Sequence, residues 1–400
     1  MTWRKKKVRW SFLATNQERR RTFVQLPGTV APSAAQRQEV FWTWMDRRVT
    51  QLTTDLIEMA LLEDQRLTLK ADWHERSDQR LGRRNGFYRR RLTTPYGRVW
   101  LRVPRVRGLA LDPAFVFGRY QRRQADVDRL LRRLFLSGTS TRDAAELAEQ
   151  LWGGPLSHQT VSRLATWLDD HLAAYRRQPI QAVYPAVQID GMYITVAGAK
   201  QAVVFVVGLR EDGRQEVLGF SLGAGEGCAD LLWDLRRRGL EGVECFTSDD
   251  SGAIRAAVAE VYPEVPWQSC AWHRLVRLHD LVGNTDYRRQ MVRQAARIFR
   301  CVSLEAALEE ADRWQRRWQP YNPTVVRWFM DGLADSLTFY HLPEKWWRRT
   351  RTTSRTERLI RTLRMRLRLM GAFLHVPAAE RAVFGQLARW HLLPEITHST

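Results

Sequence analysis

Three apolar runs, AVQIDGMYITV, QAVVFVVGLR and EVLGFSLG, follow one another from Ala186 with only AGAK and EDGRQ between them. Each is rich in β-branched and aromatic residues, which suit a pleated surface. Links this short join antiparallel neighbours, because a parallel pair needs a crossover of about a dozen residues. The three runs therefore read as an antiparallel meander. The next segments alternate: a helix, EGCADLLWDLRRRGL, ended by Gly239; a strand, VECFTSD; a helix, GAIRAAVAEVY; a short extended piece, VPWQSC; and a helix, AWHRLVRLHDLV. Strands joined through helices return parallel to one another. A βββαβαβα chain is thus held to a mixed sheet with helices on its faces.

That order is ribonuclease-H-like. The expected fold class is α/β: a ribonuclease-H-like catalytic core interrupted by an all-helical insertion. It is preceded by an N-terminal helical, helix-turn-helix DNA-binding region and a basic β-hairpin. The expected boundaries are 1–36, a basic arm; 37–120, a helix and the hairpin; and 121–180, a helix-turn-helix-like domain. The core occupies 181–283 and 346–400, split by a Trp-rich helical insertion at 284–345. In the helix of residues 37–70, Phe41, Trp44, Val49, Leu52 and Leu56 recur at helical spacing. Asn85-Gly86 and Pro95-Tyr96-Gly97 are turn signals around RRNGFYRRRLTTPYGRVWLRVPRVRG, whose Arg89, Arg90 and Arg91 suit nucleic-acid contact. The segment DVDRLLRRLFLSG ends at Gly138, and STRDAAELAEQLWGG opens on Ser140 or Thr141 as a cap. LSHQTVSRLATWLDDHL is capped by Ser157. As a recognition helix it would present Ser157, His158, Gln159, Ser162 and Arg163 to a major groove, although any three-helix bundle gives the same pattern.

The formal charge of +21 and a pI near 10.7 point to a polyanionic partner, nucleic acid first. The 58 arginines against 6 lysines follow in large part from GC-rich codon usage, which does not account for the net charge. No apolar run approaches the ~18 residues of a spanning helix, so no membrane is expected. The basic, Trp-containing start lacks the apolar stretch of a signal peptide and reads as a cytosolic arm. Cys228, Cys245, Cys270 and Cys301 are widely spaced, which fits a reduced compartment.

Within TTSRTERLIRTLRMRLR, residues 352–368, Glu357 is one carboxylate among six arginines. Glu357 and Arg361 are spaced for a helical ion pair, worth only ~0.2–0.5 kcal/mol. The alternative is that the carboxylate holds a metal ion while the arginines hold phosphates. Asp190, before Gly191 in the first strand, and Asp249, ending VECFTSD, are the other candidates; an Asp at a strand end is commonly a turn residue. Phosphodiester chemistry calls for this residue type. Mg²⁺ prefers carboxylate oxygens, and paired ions activate the attacking oxygen and stabilise the leaving one.

The segments IDGMY (189–193), GLREDGRQEVLGFSLGAGE, RRRGLEGVECFTSDDSGAIRAAVAEVYPEVPWQSCAWHRLVR and TTSRTERLIRTLRMRLRLMGAF resemble the Mutator-like transposases of bacterial insertion sequences. The hairpin and helix-turn-helix segments are similar too, so the resemblance covers roughly 74–376. It implies a DDE recombinase with Asp190, Asp249 and Glu357 as catalytic, metal-holding residues. It implies two Mg²⁺ ions, with Mn²⁺ as a substitute, and strand cleavage and transfer at the ends of a mobile element. The family's C-x-x-H motif falls on Cys270 and His273, as active-site support. Their spacing also suits two zinc ligands, but no second pair lies nearby. Arg358, Arg361, Arg364 and Arg368 would track DNA; Glu357, Arg361, Arg364 and Arg368 share a helix face. The implied partners are terminal inverted repeats, target DNA and further copies of the chain, in a cytoplasmic, nucleoid-associated setting. Departures from the family pattern are Asp250, where a small residue is usual, and Ser354 and Ile360, where Asn is frequent. A DNA-binding regulator with a dead site and a structure-specific nuclease without strand transfer remain open as rivals.

Overall fold

The structure is a computed structural model that describes residues 33–76, 78–118, 120–223 and 226–394. Residues 1–32, most of the expected basic arm, lie outside the described residues, as do 395–400. The described chain divides into two compact units. One holds the chain up to Leu130 together with Leu147–Pro155, and the other holds Leu131–Glu146 and everything from Leu156.

The first unit is built on a long helix, α1 (Ala34–Leu69), and a hairpin of β1 (Arg83–Thr94) and β2 (Gly97–Arg107). Ser33 and Gln36 cap α1 reciprocally: each side chain takes the other's backbone N–H. Leu61 packs with Leu92, Val99, Leu101, Val103 and Phe117, with Ile57 at the margin. Glu58 ties α1 to β2 by accepting from the Arg102 backbone at 2.7 Å and pairing with its guanidinium at 2.9 Å. Two expectations change here. Asn85-Gly86 is a bulge inside β1, not a turn, and the pairing register shifts between Arg84 and Phe87. Glycine serves a bulge as well as a turn because both need positive φ, here 67°. The α1 apolar residues packed on the hairpin are Ile57 and Leu61, with Thr50, Glu58 and Gln65 bonded to it, whereas Leu52 and Leu56 are about half exposed. Periodicity identifies an apolar helix face but not which neighbour covers it.

In the second unit, α2 (Ala125–Leu136) and α3 (Thr141–Trp152), whose other ends lie in the first, lead to α4 (His158–Ala165) and α5 (Trp167–Arg177). The single helix expected over LSHQTVSRLATWLDDHL is interrupted at Thr166, which the Arg163 carbonyl holds in a turn. Then comes the sheet: β3 (Ala186–Val196), β4 (Ala199–Leu209), β5 (Gln215–Leu222), α6 (Glu226–Arg237), β6 (Cys245–Ser248), α7 (Gly252–Val261) and β7 (Trp267–Ser269). Strand order is β5-β4-β3-β6-β7. The first three strands are antiparallel neighbours, and β6 and β7 are added in parallel. The β3–β4 loop is shorter than expected. Only Ala197 and Gly198 turn, both at positive φ, and the following residues are already paired.

Alternate residues of β3 serve different layers. Val187 and Ile189 pack with Leu232 and Leu235 of α6 and Val258 and Val261 of α7. Met192, Ile194 and Val196 pack on the opposite face. That face is covered by α14 (Ser354–Leu369), through Ile360, Leu363 and Leu367, and by α15 (Val376–Arg389).

Between the sheet and α14 lie α8 (Ala271–Val282), α9 (Arg288–Ile298), α10 (Leu304–Trp318), α11 (Pro323–Asp331), α12 (Leu333–Ser336) and α13 (Glu344–Thr350). The interior of this region combines Met291, Ala295, Ala311, Trp314, Trp318 and Phe329. Leu278 and Val282 of α8 belong to the same cluster, so that helix joins the sheet to the helical bundle. Trp346 of α13 is buried with Ala186 and Leu209 and brings the chain back to the sheet.

Gly208 in β4 marks a close approach. A Cβ there would lie 2.4 Å from the Tyr184 ring and 2.9 Å from Leu218. The ring cannot swing aside, because the Tyr184 hydroxyl donates to buried Glu216. Gly208→Ala is expected to destabilise the protein by about 1–3 kcal/mol through overpacking. The check is the guanidinium unfolding midpoint; a midpoint equal to wild type would show that the site has room.

Candidate active site

Asp190 belongs to the β3 face that α14 covers, with Gln188 two residues before it and Met192 two after. Its side chain is almost wholly buried. One carboxylate oxygen accepts the Gly191 N–H at 2.7 Å, while Oδ2 is buried without a partner. Asp249 follows the last residue of β6, the strand paired in parallel with β3. Its Oδ1 is also buried without a partner. Asp250 points elsewhere and pairs with Arg274 at 3.5 Å. Successive residues at a strand end diverge, so Asp249 keeps a buried oxygen while its neighbour Asp250 meets Arg274. Glu357 lies in the first turn of α14, next to buried Thr356, and Arg361 pairs with it at 3.3 Å. The helical ion pair expected as the simpler reading is therefore present. Arg361 is largely exposed, so the pair is weak.

The charges of the other two carboxylates reach Asp190. Burial pushes the Asp190 carboxyl up to about 6; the Gly191 N–H and the His273 charge oppose this, and the charges of Asp249 and Glu357 add to it. His273, on α8, is raised to about 9, first by hydrogen bonding to Cys270, against the effect of its own burial, then by the charges of Cys270, Asp190 and Asp249. Its Nδ1 is nevertheless buried with no partner in good hydrogen-bond geometry, so we read the Cys270–His273 contact as largely electrostatic. Burial would raise the Cys270 thiol, but the hydrogen bond and charge of His273 and the donors of Thr353 lower it overall.

Orphaned buried oxygens are costly unless something else satisfies them. Asp190 and Asp249 each carry one such oxygen, and the Asp249 charge reaches Asp190; hard carboxylate oxygens of this kind suit Mg²⁺. Among the described residues, no three His, Cys, Asp or Glu side chains are gathered as a ready-made metal cage. Glu357 is instead turned to Arg361.

The arginines fall into separate sets. Arg361, Arg364 and Arg368 are exposed on the Glu357 flank of α14, while Arg358 is exposed about 100° further round. In the hairpin, Arg89 and Arg91 are exposed. Arg90 faces the other way, stacks on Phe117 at 3.9 Å and donates to the carbonyls of Gly118 and Gln121. Arg90 thus has internal bonds while Arg89 and Arg91 are exposed, because neighbouring strand residues alternate faces. On α4, Gln159 and Arg163 are exposed and Ser162 is half-buried.

Sequence reasoning missed the polar seam that holds α14 to the sheet. Thr356 Oγ1 donates to Gln188 Oε1 at 2.6 Å, and Gln188 Nε2 donates to the carbonyls of Arg349 and Thr352 at 2.8 and 3.0 Å. Thr247 of β6 donates to the Thr350 carbonyl at 2.8 Å. The backbone N–H and hydroxyl of Thr353 both donate to Cys270 Sγ at 3.3 Å. The signal was a glutamine in a largely apolar strand, two residues from Asp190 and so on the same face. Gln188→Leu strands one hydroxyl and two carbonyls and is expected to cost about 1–3 kcal/mol. Urea titration checks this, and an unshifted midpoint would mean that water replaces the amide.

Comparison with known proteins places the chain in a family. Residues 26–391 match the family model described as Transposase, Mutator family. The chain is 30% identical to the transposase for insertion sequence element ISRM5 of Rhizobium meliloti, over 77% of this chain and 79% of the relative. It is 28% identical to the transposase for IS256 in transposon Tn4001 of Staphylococcus aureus, over 83% and 87%. It is likewise 28% identical to the transposase for IS1081 of Mycobacterium tuberculosis, over 80% and 79%. The family match spans both units, from the hairpin to the helix that carries Glu357, and the chain belongs to the Mutator family of transposases.

Proposed function

We propose that this chain is a DDE transposase on a ribonuclease-H-like core, cutting and joining DNA at the ends of an insertion sequence. The observation that carries the reading is the pair of orphaned, buried carboxylate oxygens on Asp190 and Asp249, in the same field as Glu357. Asp190 and Asp249 would hold Mg²⁺, and Glu357 would join them on leaving Arg361. Bound there, the ions would activate the attacking oxygen and neutralise charge on the scissile phosphate. Manganese, also a hard cation, is expected to substitute.

The chain's own residues supply position and charge. Arg361, Arg364 and Arg368 align phosphates along the flank of α14 that carries Glu357. Cys270 steadies Thr353, the residue before α14, and the His273 charge balances the two aspartates. Water attacks phosphorus at the element end, and the bond to the 3′ oxygen breaks. The freed 3′-hydroxyl then attacks a target phosphodiester and displaces its 3′ oxygen. Each step exchanges one P–O bond for another, so no redox partner is required. Joining two ends to one target calls for more than one copy of the chain. Among the described residues no helix is long and apolar enough to cross a membrane, and we place the protein with chromosomal DNA in the cytoplasm.

The test is a plasmid carrying the DNA that flanks this gene, incubated with protein and Mg²⁺, with nicks mapped at nucleotide resolution. Asp190→Asn, Asp249→Asn and Glu357→Gln are each expected to lower nicking by about a hundredfold or more while binding persists. Undiminished nicking in any of them would remove that residue from the site. Chelation should stop the reaction, and Mn²⁺ should restore it. Binding to the ends without nicking by the wild type would favour the regulator reading, for which the Glu357–Arg361 ion pair would be the resting arrangement. Nicking without joined products would favour the nuclease. Removing Arg364 or Arg368 is expected to flatten the salt dependence of DNA binding by about one unit of slope.

A further inference from the structure

We propose that α1 pairs with α1 of a second copy of this chain as an antiparallel two-helix coiled coil. Trp42, Met45, Val49, Leu52, Leu56 and Met59 advance by alternating steps of three and four, the repeat of a coiled-coil seam. The stripe lies on an open flank of α1 beside the hairpin. Trp42 is 55% exposed, Leu52 48%, Leu56 49% and Met59 36%. Met45, Val49, Leu52 and Met59 of the stripe line an open groove of about 810 Å³, together with Arg48, Asp55 and, from the hairpin, Arg102. A contiguous apolar surface of this kind marks an interface. It spans 18 residues, roughly 27 Å of helix. Beyond Met59 the repeat meets Glu63 and Arg66, which pair with each other and end the seam.

The stripe is complementary to itself. An end-for-end turn about a point between Thr50 and Gln51 sets Trp42 against the partner's Met59. The same turn sets Met45 against the partner's Leu56, and Val49 against the partner's Leu52. Every layer is filled by two apolar side chains. Arg48 and Asp55 lie seven residues apart on the same flanking position. The turn brings Arg48 toward the partner's Asp55 and Asp55 toward the partner's Arg48, two symmetric ion pairs at the rim. Asp55 accepts from Gln51, one turn away on the same helix, at 2.8 Å, and its charge also reaches Arg102. In a parallel pair, Arg48 would face Thr53 and Asp55 would face Ala60, with no complementary charge. The two-fold arrangement also closes on itself, as expected of an isologous dimer. The inference rests on α1 alone, so it stands or falls apart from the catalytic reading.

The test is sedimentation equilibrium of the full chain without DNA, across a wide concentration series, with circular dichroism to verify helix content. The wild type is expected to show a monomer–dimer equilibrium. Leu52→Glu combined with Leu56→Glu buries uncompensated charge and should raise Kd about a hundredfold or more. Arg48→Asp and Asp55→Arg should each raise Kd by roughly tenfold, and the two together should restore it. A wild type that stays monomeric, or a dimer whose Kd ignores the seam glutamates, would overturn the pairing. A double charge reversal no better than the single ones would overturn the antiparallel geometry.

Discussion

The hydrogen bond from Thr356 to Gln188 joins segments far apart in the chain, and the candidate site depends on it. Gln188 belongs to the strand of Asp190, and Thr356 immediately precedes Glu357. The same glutamine amide holds the carbonyls of Arg349 and Thr352, so the chain between α13 and α14 has one docking position. Apolar packing of Ile360, Leu363 and Leu367 supplies most of the attraction, but it is non-directional and would tolerate a small slide. Buried amide and hydroxyl groups do not tolerate one, since a half-made network leaves polar atoms unsatisfied. The seam is small in net energy and large in its effect on geometry.

The same distinction applies to charge. A formal charge of +21 suggests an arginine surface devoted to a polyanion. Yet several arginines are internal fittings. Arg274 is buried and bonds to Ser336 and the Phe329 carbonyl, and Arg238 bonds to the carbonyls of Gln178 and Leu218. Arg381 meets Asp169, and Arg90 holds the loop after Phe117. The guanidinium group suits these places because it offers five donors in a fixed fork and cannot shed its charge. Among the described residues the exposed flank of Arg361, Arg364 and Arg368 shows no comparable internal bonding beyond the weak pair to Glu357, which is why we propose it for phosphates.

Some elements were legible because one local rule decides them. The meander followed from loop length, and the alternating helices that follow it from the parallel-crossover rule. Gly138 and the Ser140 and Ser157 caps marked helix ends correctly because a positive φ or an orphan N–H leaves little choice. Asn85-Gly86 misled because a bulge and a turn make the same demand on glycine. The stripe of α1 misled differently: its apolar spacing was visible, but the hairpin took the neighbouring flank and left Leu52 and Leu56 uncovered. Gln188 passed unremarked because one polar residue in a strand carries no local meaning.

By itself the sequence determined the order of strands and helices, the family, and which residue types could carry phosphodiester chemistry. All of these are local patterns or matches along the chain. Only the tertiary structure decided that Asp250 meets Arg274 while Asp249 keeps a buried oxygen without a partner, that Arg90 bonds inward while Arg89 and Arg91 are exposed, and that Glu357 rests against Arg361. These outcomes depend on which face of each element its neighbours cover. That is a property of packing in space, and residue spacing along one chain does not encode it.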